Sequence, residues 1–113
     1  MNDLEIEMNR VVDAVIECCV TTIDEGNYSI SKADVLGSSK KENATIARNM
    51  LAFHLCKDGF SHTTISLLLK RSNQAVRNLI EQHETWCRNS NAYRIANEQV
   101  NRKLYGSKKQ ETP

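Results

Sequence analysis

Between Gly59 and Ile80 the chain reads GFSHTTISLLLKRSNQAVRNLI, a stretch with Lys70, Arg71 and Arg77 and no acidic residue. Ser72, Asn73, Gln74, Arg77 and Asn78 are grouped in its second half. Asparagine and glutamine amides can pair bidentately with adenine in the major groove, and an arginine fork pairs with guanine. Such groups read bases when the front of an α-helix carries them into the groove. The apolar residues Ile65, Leu68, Leu69, Val76, Leu79 and Ile80 fall at helical steps on either side of a break at Lys70-Arg71-Ser72. Two short helices crossed about one tight turn are the sequence form of a helix-turn-helix. Ser61 is placed to cap the first of them, and small Ala75 fits where the two come closest. An ordinary helical hairpin with a polar outer face is the competing reading of this pattern.

The charge distribution favours the first reading. Net charge is only +1. Up to Leu36, however, eight acids (Asp3, Glu5, Glu7, Asp13, Glu17, Asp24, Glu25, Asp34) face two bases (Arg10, Lys32), a balance of −6. From Gly37 onward thirteen bases face six acids, a balance of +7. A basic second part is what contact with phosphates requires. Solvated helix faces would account for the same charges without a ligand.

The elements that must hold these side chains follow from spacing. Leu4, Met8, Val11, Val12, Val15, Cys19 and Ile23 predict a first helix with one buried stripe, stopped by Gly26-Asn27. Asn2 or Asp3 can cap its start. Ser31 to Gly37 reads as one helical turn, and Ser38-Ser39-Lys40-Lys41 as a polar, basic connector. A central helix is expected from Asn43 to Lys57, apolar over a wide arc and ended by Asp58-Gly59. After the helix-turn-helix, a closing helix carries Tyr93, Ala96, Val100 and Leu104 beyond Arg88-Asn89-Ser90. Four glycines and one proline in 113 residues suit long helices rather than strands and turns. The fold class expected is all-α: a compact bundle over residues 1–106, with an acidic helix over 1–26 and a disordered tail over 107–113.

Competing chemistries are weaker. His83 and Cys87 stand four apart, and His54 and Cys56 are close in sequence, but zinc usually takes paired cysteines two to four apart. A metal site is therefore not expected, and no cofactor. With no paired carboxylates in an apolar setting and no glycine-rich loop, the reading is a protein that is not an enzyme. The acidic start has no signal-peptide pattern, and no apolar run reaches a membrane span. Cys18, Cys19, Cys56 and Cys87 then read as reduced thiols of a cytoplasmic, nucleoid-associated protein. Trp86 and Tyr93 are expected as core anchors.

About two thirds of the chain resembles the C-terminal DNA-binding domain of the bacterial replication initiator DnaA. The residues that carry the likeness begin near Tyr28 and run through Ala33-Asp34-Val35-Leu36, the basic connector and Ile46–Leu55. They continue through Ser61–Leu69, Arg71–Val76 and the closing helix. The family motif Gly-Arg-Asp-His-Thr-Thr-Val falls on Lys70-Arg71-Ser72-Asn73-Gln74-Ala75-Val76. Arg71 and Val76 agree with it, whereas the base-reading positions differ, so the family's target sequence does not carry over. Ser61-His62-Thr63-Thr64-Ile65 imitates the motif by coincidence, since aligning it there would delete the first helix of the pair. The resemblance also implies minor-groove contact by the connector at Lys40, and it matches Arg48 to an arginine that opens the family's central helix. No phosphate-binding G-x-x-x-x-G-K-[ST] loop occurs, so the likeness excludes the initiator's ATPase domain.

The expected interface is therefore Lys40, Lys41, Arg48, Lys70, Arg71, Ser72, Asn73, Gln74, Arg77 and Asn78 against double-stranded DNA. It would serve replication or transcription control in a bacterial, phage or mobile-element system. The alternative is a helical protein-interaction module, with the acidic first helix as the surface for a second copy or a regulator.

Overall fold

The computed structural model describes residues 3–23, 30–37 and 40–106. The expected stop at Gly26-Asn27, Ser38-Ser39 and the tail over 107–113 lie outside the described residues. Six helices follow one another: α1 (Asp3–Thr22), α2 (Lys32–Leu36), α3 (Glu42–Lys57), α4 (His62–Leu69), α5 (Asn73–Asn89) and α6 (Asn91–Tyr105). No strand occurs among the described residues, and none of their helices is long and apolar enough to cross a membrane.

Serines start four of these helices. Ser31, Ser61, Ser72 and Ser90 each hold an extended backbone and accept a hydrogen bond from the amide three residues on, at Asp34, Thr64, Ala75 and Tyr93. Each cap satisfies an amide the helix leaves free and contributes about 1 kcal/mol. Helix α3 stops differently from how it starts. Gly59 takes φ 105°, while the Phe60 amide reaches back to the Leu55 carbonyl and the Gly59 amide to that of Cys56, both at 3.0 Å. This paired closure needs a left-handed residue, which glycine adopts freely.

The core sits around α3. Ala44, Ile46, Ala47, Met50, Leu51, Ala52 and Leu55 are all buried, so the helix is covered on nearly every side, as its wide apolar arc predicts. On one flank α1 and α6 run antiparallel. Thr22 Oγ1 donates to Gln99 Oε1 (2.9 Å), Glu17 pairs with Lys103 (3.1 Å), and Arg10 donates to the Leu104 carbonyl (3.2 Å). On the other flank α4 and α5 form a crossed pair closed by Ile65, Leu69 and Val76, each fully buried. The second member of that pair is longer than a short recognition helix. It continues to Asn89 because Leu79, Ile80, His83, Trp86 and Cys87 extend its packing stripe. Tyr93 is buried outright and Trp86 is half-buried, their rings stacked with centroids 5.9 Å apart.

Candidate nucleic-acid interface

The turn between α4 and α5 decides what the front of α5 presents. Lys70 closes α4 in the left-handed region, at φ 57° and ψ 45°, and is exposed. Its amide and that of Arg71 both return to the Ser66 carbonyl. This is the position glycine fills most readily, and a side chain there costs roughly 1 kcal/mol. Ser72 then caps α5, its hydroxyl accepting from the Ala75 amide at 3.1 Å. Val76 points into the core, so Asn73, Gln74, Arg77 and Asn78 are turned outward and all four are exposed. Three of them are bonded together: Arg77 Nη1 donates to Gln74 Oε1 (3.3 Å), and Gln74 Nε2 donates to Asn78 Oδ1 (3.1 Å). The first two turns of α5 thus offer amide donors, amide acceptors and one guanidinium on a single solvent face.

Gly37, just before the basic connector, is tied to this turn by Arg71 Nη1 at 3.1 Å. Lys40 and Lys41 are exposed, and Lys41 Nζ stands 3.3 Å from Asp34 Oδ2, which draws the Asp34 carboxyl below its usual range. Two arginines expected to face DNA are instead turned to the protein. Arg48 is only 3% exposed; its Nε donates to the Val35 carbonyl (2.8 Å), and its Nη2 donates to those of Asp34 (2.6 Å) and Gly37 (3.2 Å). Burial and the neighbouring Arg71 both lower its pKa. The expectation that Arg48 contacts DNA is corrected accordingly, because a guanidinium enclosed on carbonyls cannot also reach a phosphate. Its spacing from Ala44, Leu51 and Leu55 already marked it as lying on the buried stripe.

Arg71 is half-buried, and its Nη1 donates to the Leu69 (2.6 Å) and Gly37 (3.1 Å) carbonyls. Its first role is to hold the turn. Ser72 likewise spends its hydroxyl as a cap, which leaves Asn73, Gln74, Arg77 and Asn78 as the exposed polar side chains at the front of α5. The structure therefore brings Lys40, Lys41, Lys70, Asn73, Gln74, Arg77 and Asn78 to the surface and takes Arg48 out of it. The look-alike Ser61–Ile65 opens α4, one helix before the turn. What the sequence reading missed is the Gly37 carbonyl, on which both arginines converge; a backbone oxygen leaves no mark in side-chain spacing.

Behind the interface, His54, His83 and Tyr93 form a buried polar knot joining α3, α5 and α6. The His83 ring stacks on Phe53 with centroids 3.7 Å apart, and its Nδ1 lies 2.7 Å from Tyr93 Oη. His54 Nε2 lies 2.6 Å from Asn97 Oδ1, while its buried Nδ1 has no hydrogen-bond partner. Burial pushes both rings down to about 4, so both are neutral near pH 7. His83 Nε2 reaches Cys87 Sγ at 3.6 Å and His62 Nε2 reaches Cys56 Sγ at 3.9 Å. Among the described residues no three such groups gather as a metal site.

No family model, characterised protein or solved structure matches the chain. The likeness to the replication-initiator domain therefore rests on the residues quoted for it.

Proposed function

We propose that this chain binds double-stranded DNA as a helix-turn-helix protein, with the first two turns of α5 in the major groove. The observation that carries the reading is the exposed group Asn73, Gln74, Arg77 and Asn78 on the face of α5 opposite Val76. Amides and guanidinium groups of this kind can pair with adenine and guanine edges when a helix carries them into the groove, which supports the reading. Lys40, Lys41 and Lys70 flank them as phosphate contacts. A lysine kept in a left-handed turn, where glycine costs less, is support of a second kind. The protein resembles the DNA-binding part of a replication initiator, acts without catalysis, and serves replication or transcription control in the bacterial cytoplasm or a phage. The test is an anisotropy titration with a random duplex at several salt concentrations. If about five phosphates are neutralised, affinity should fall with a log–log slope of roughly −4 to −5. A flat salt response would refute the proposal.

A second reading, docking of another protein through α1, draws on one observation: Leu4 and Ile6 are 59% and 53% exposed on an acidic helix.

A further inference from the structure

Resting on that reading, the geometry points to the Gly37 carbonyl as the joint that sets Lys40 and Lys41 relative to the recognition face. Arg48 and Arg71 act there as positioning residues. Three observations meet at this oxygen. Arg48 on α3 reaches it with Nη2 at 3.2 Å, and Arg71 in the α4–α5 turn reaches it with Nη1 at 3.1 Å. The same two guanidinium groups are tied elsewhere, Arg48 to the Asp34 and Val35 carbonyls at the end of α2, and Arg71 to Leu69 at the end of α4. The joint therefore links α2, α3 and the helix-turn-helix turn through backbone acceptors, which do not change rotamer. Finally, the backbone at residue 37 is packed so closely that a Cβ there would lie 2.7 Å from the Ala33 carbonyl oxygen. Only glycine lets the chain turn here with its carbonyl aimed at both arginines.

A duplex contacted through both Lys40-Lys41 and Asn73–Asn78 is held at two places. Simultaneous engagement strengthens binding only when the two contact sets are spaced to match the duplex before they meet it. Arg71 is one residue before the Ser72 cap, and Gly37 is three before Lys40, so the bond between them links the chain just ahead of each contact set. In this account Arg71 acts through the connector as well as through its own charge. A simple phosphate contact would act through its charge alone.

That distinction gives the test, a double-mutant cycle on the full chain with one fixed duplex. Arg71→Lys keeps the charge and shortens the reach to Gly37. Lys40→Ala with Lys41→Ala removes the connector's cations. The connector change should weaken binding about tenfold in the native background and less than about twofold once Arg71 is lysine. Equal losses in both backgrounds would overturn the joint while leaving DNA binding intact. An absence of DNA binding by the native chain would instead overturn the functional reading on which the joint rests. Gly37→Ala provides a second arm with no charge altered. It should also abolish most of the connector's contribution in a variant that circular dichroism finds folded, and an undiminished tenfold connector effect in that background would count against the joint. A readout without DNA completes the set: amide exchange over residues 33–37 should accelerate in Arg71→Lys, and unchanged protection there would argue the same way.

Discussion

Helix α5 is two different objects joined end to end. Its first two turns, Asn73 to Asn78, expose amides and a guanidinium that bond to one another, and only Val76 is buried among them. Its last three turns carry His83, Trp86 and Cys87 against α3 and α6, with His83 stacked on Phe53 and bonded to Tyr93. The rear half packs several side chains against α3 and α6, whereas the front half is held through Val76 and the Ser72 cap and turns its polar side chains to solvent. A groove-reading helix needs this division, because side chains that pair with bases have to be free of the protein while their backbone is not.

The largest effect should come from loosening the histidine knot between α3 and the rear half of α5. Both His54 and His83 are depressed from 6.5 to about 4, chiefly by burial. Below pH 6.5 the unfolded chain then takes up protons that the folded chain refuses. Stability is full above that value and is lost as pH falls toward 4, by on the order of 3 kcal/mol for each ring. Asp58 acts in the opposite sense, its carboxyl raised to about 6 by burial and by Glu7, and offsets part of the loss. Urea melts between pH 7 and pH 4 measure the balance. Unchanged midpoints would mean that the rear half does not depend on neutral histidines.

Next in size is the front half. Asn73→Ala or Gln74→Ala should cost about 1–3 kcal/mol on a selected duplex and much less on random DNA, with the melting temperature unmoved. Equal losses on both duplexes would make these residues general contacts. Replacing Lys40 and Lys41 by alanine should flatten the salt slope by about 2 and leave stability almost untouched, since the Lys41–Asp34 pair is a surface one. The smallest effect is expected at Lys70→Gly. Relief of the left-handed backbone should stabilise the fold by up to about 1 kcal/mol, while loss of the charge weakens DNA binding by a few fold. A variant that gains stability and keeps full affinity would remove Lys70 from the interface.

Spacing and caps made most of the helices legible. Ser61 and Ser90 were readable as boundaries because a serine before an apolar period satisfies a helix amide, and the break at Lys70–Ser72 fell between two such periods. The exposed face of α5 was legible for the same reason, since Val76, Leu79 and Ile80 fix which side is buried. Arg48 was assigned to the interface from the resemblance, although its place on the stripe of Ala44, Leu51 and Leu55 pointed inward. The Gly37 joint was out of reach, because it depends on two helices and a turn meeting at one carbonyl. The histidine knot was half legible: His83 lay on the apolar period of α5, but its stacking on Phe53 is a tertiary contact.

The most direct measurement of the central claim is a map of amide chemical shifts in the labelled protein as a duplex is added. The account predicts shifts concentrated at Asn73–Asn78, Lys70 and Lys40-Lys41, with α1 and the rear half of α5 unmoved. Shifts confined to α1 around Leu4 and Ile6, or none at a salt concentration low enough for phosphate binding, would contradict it.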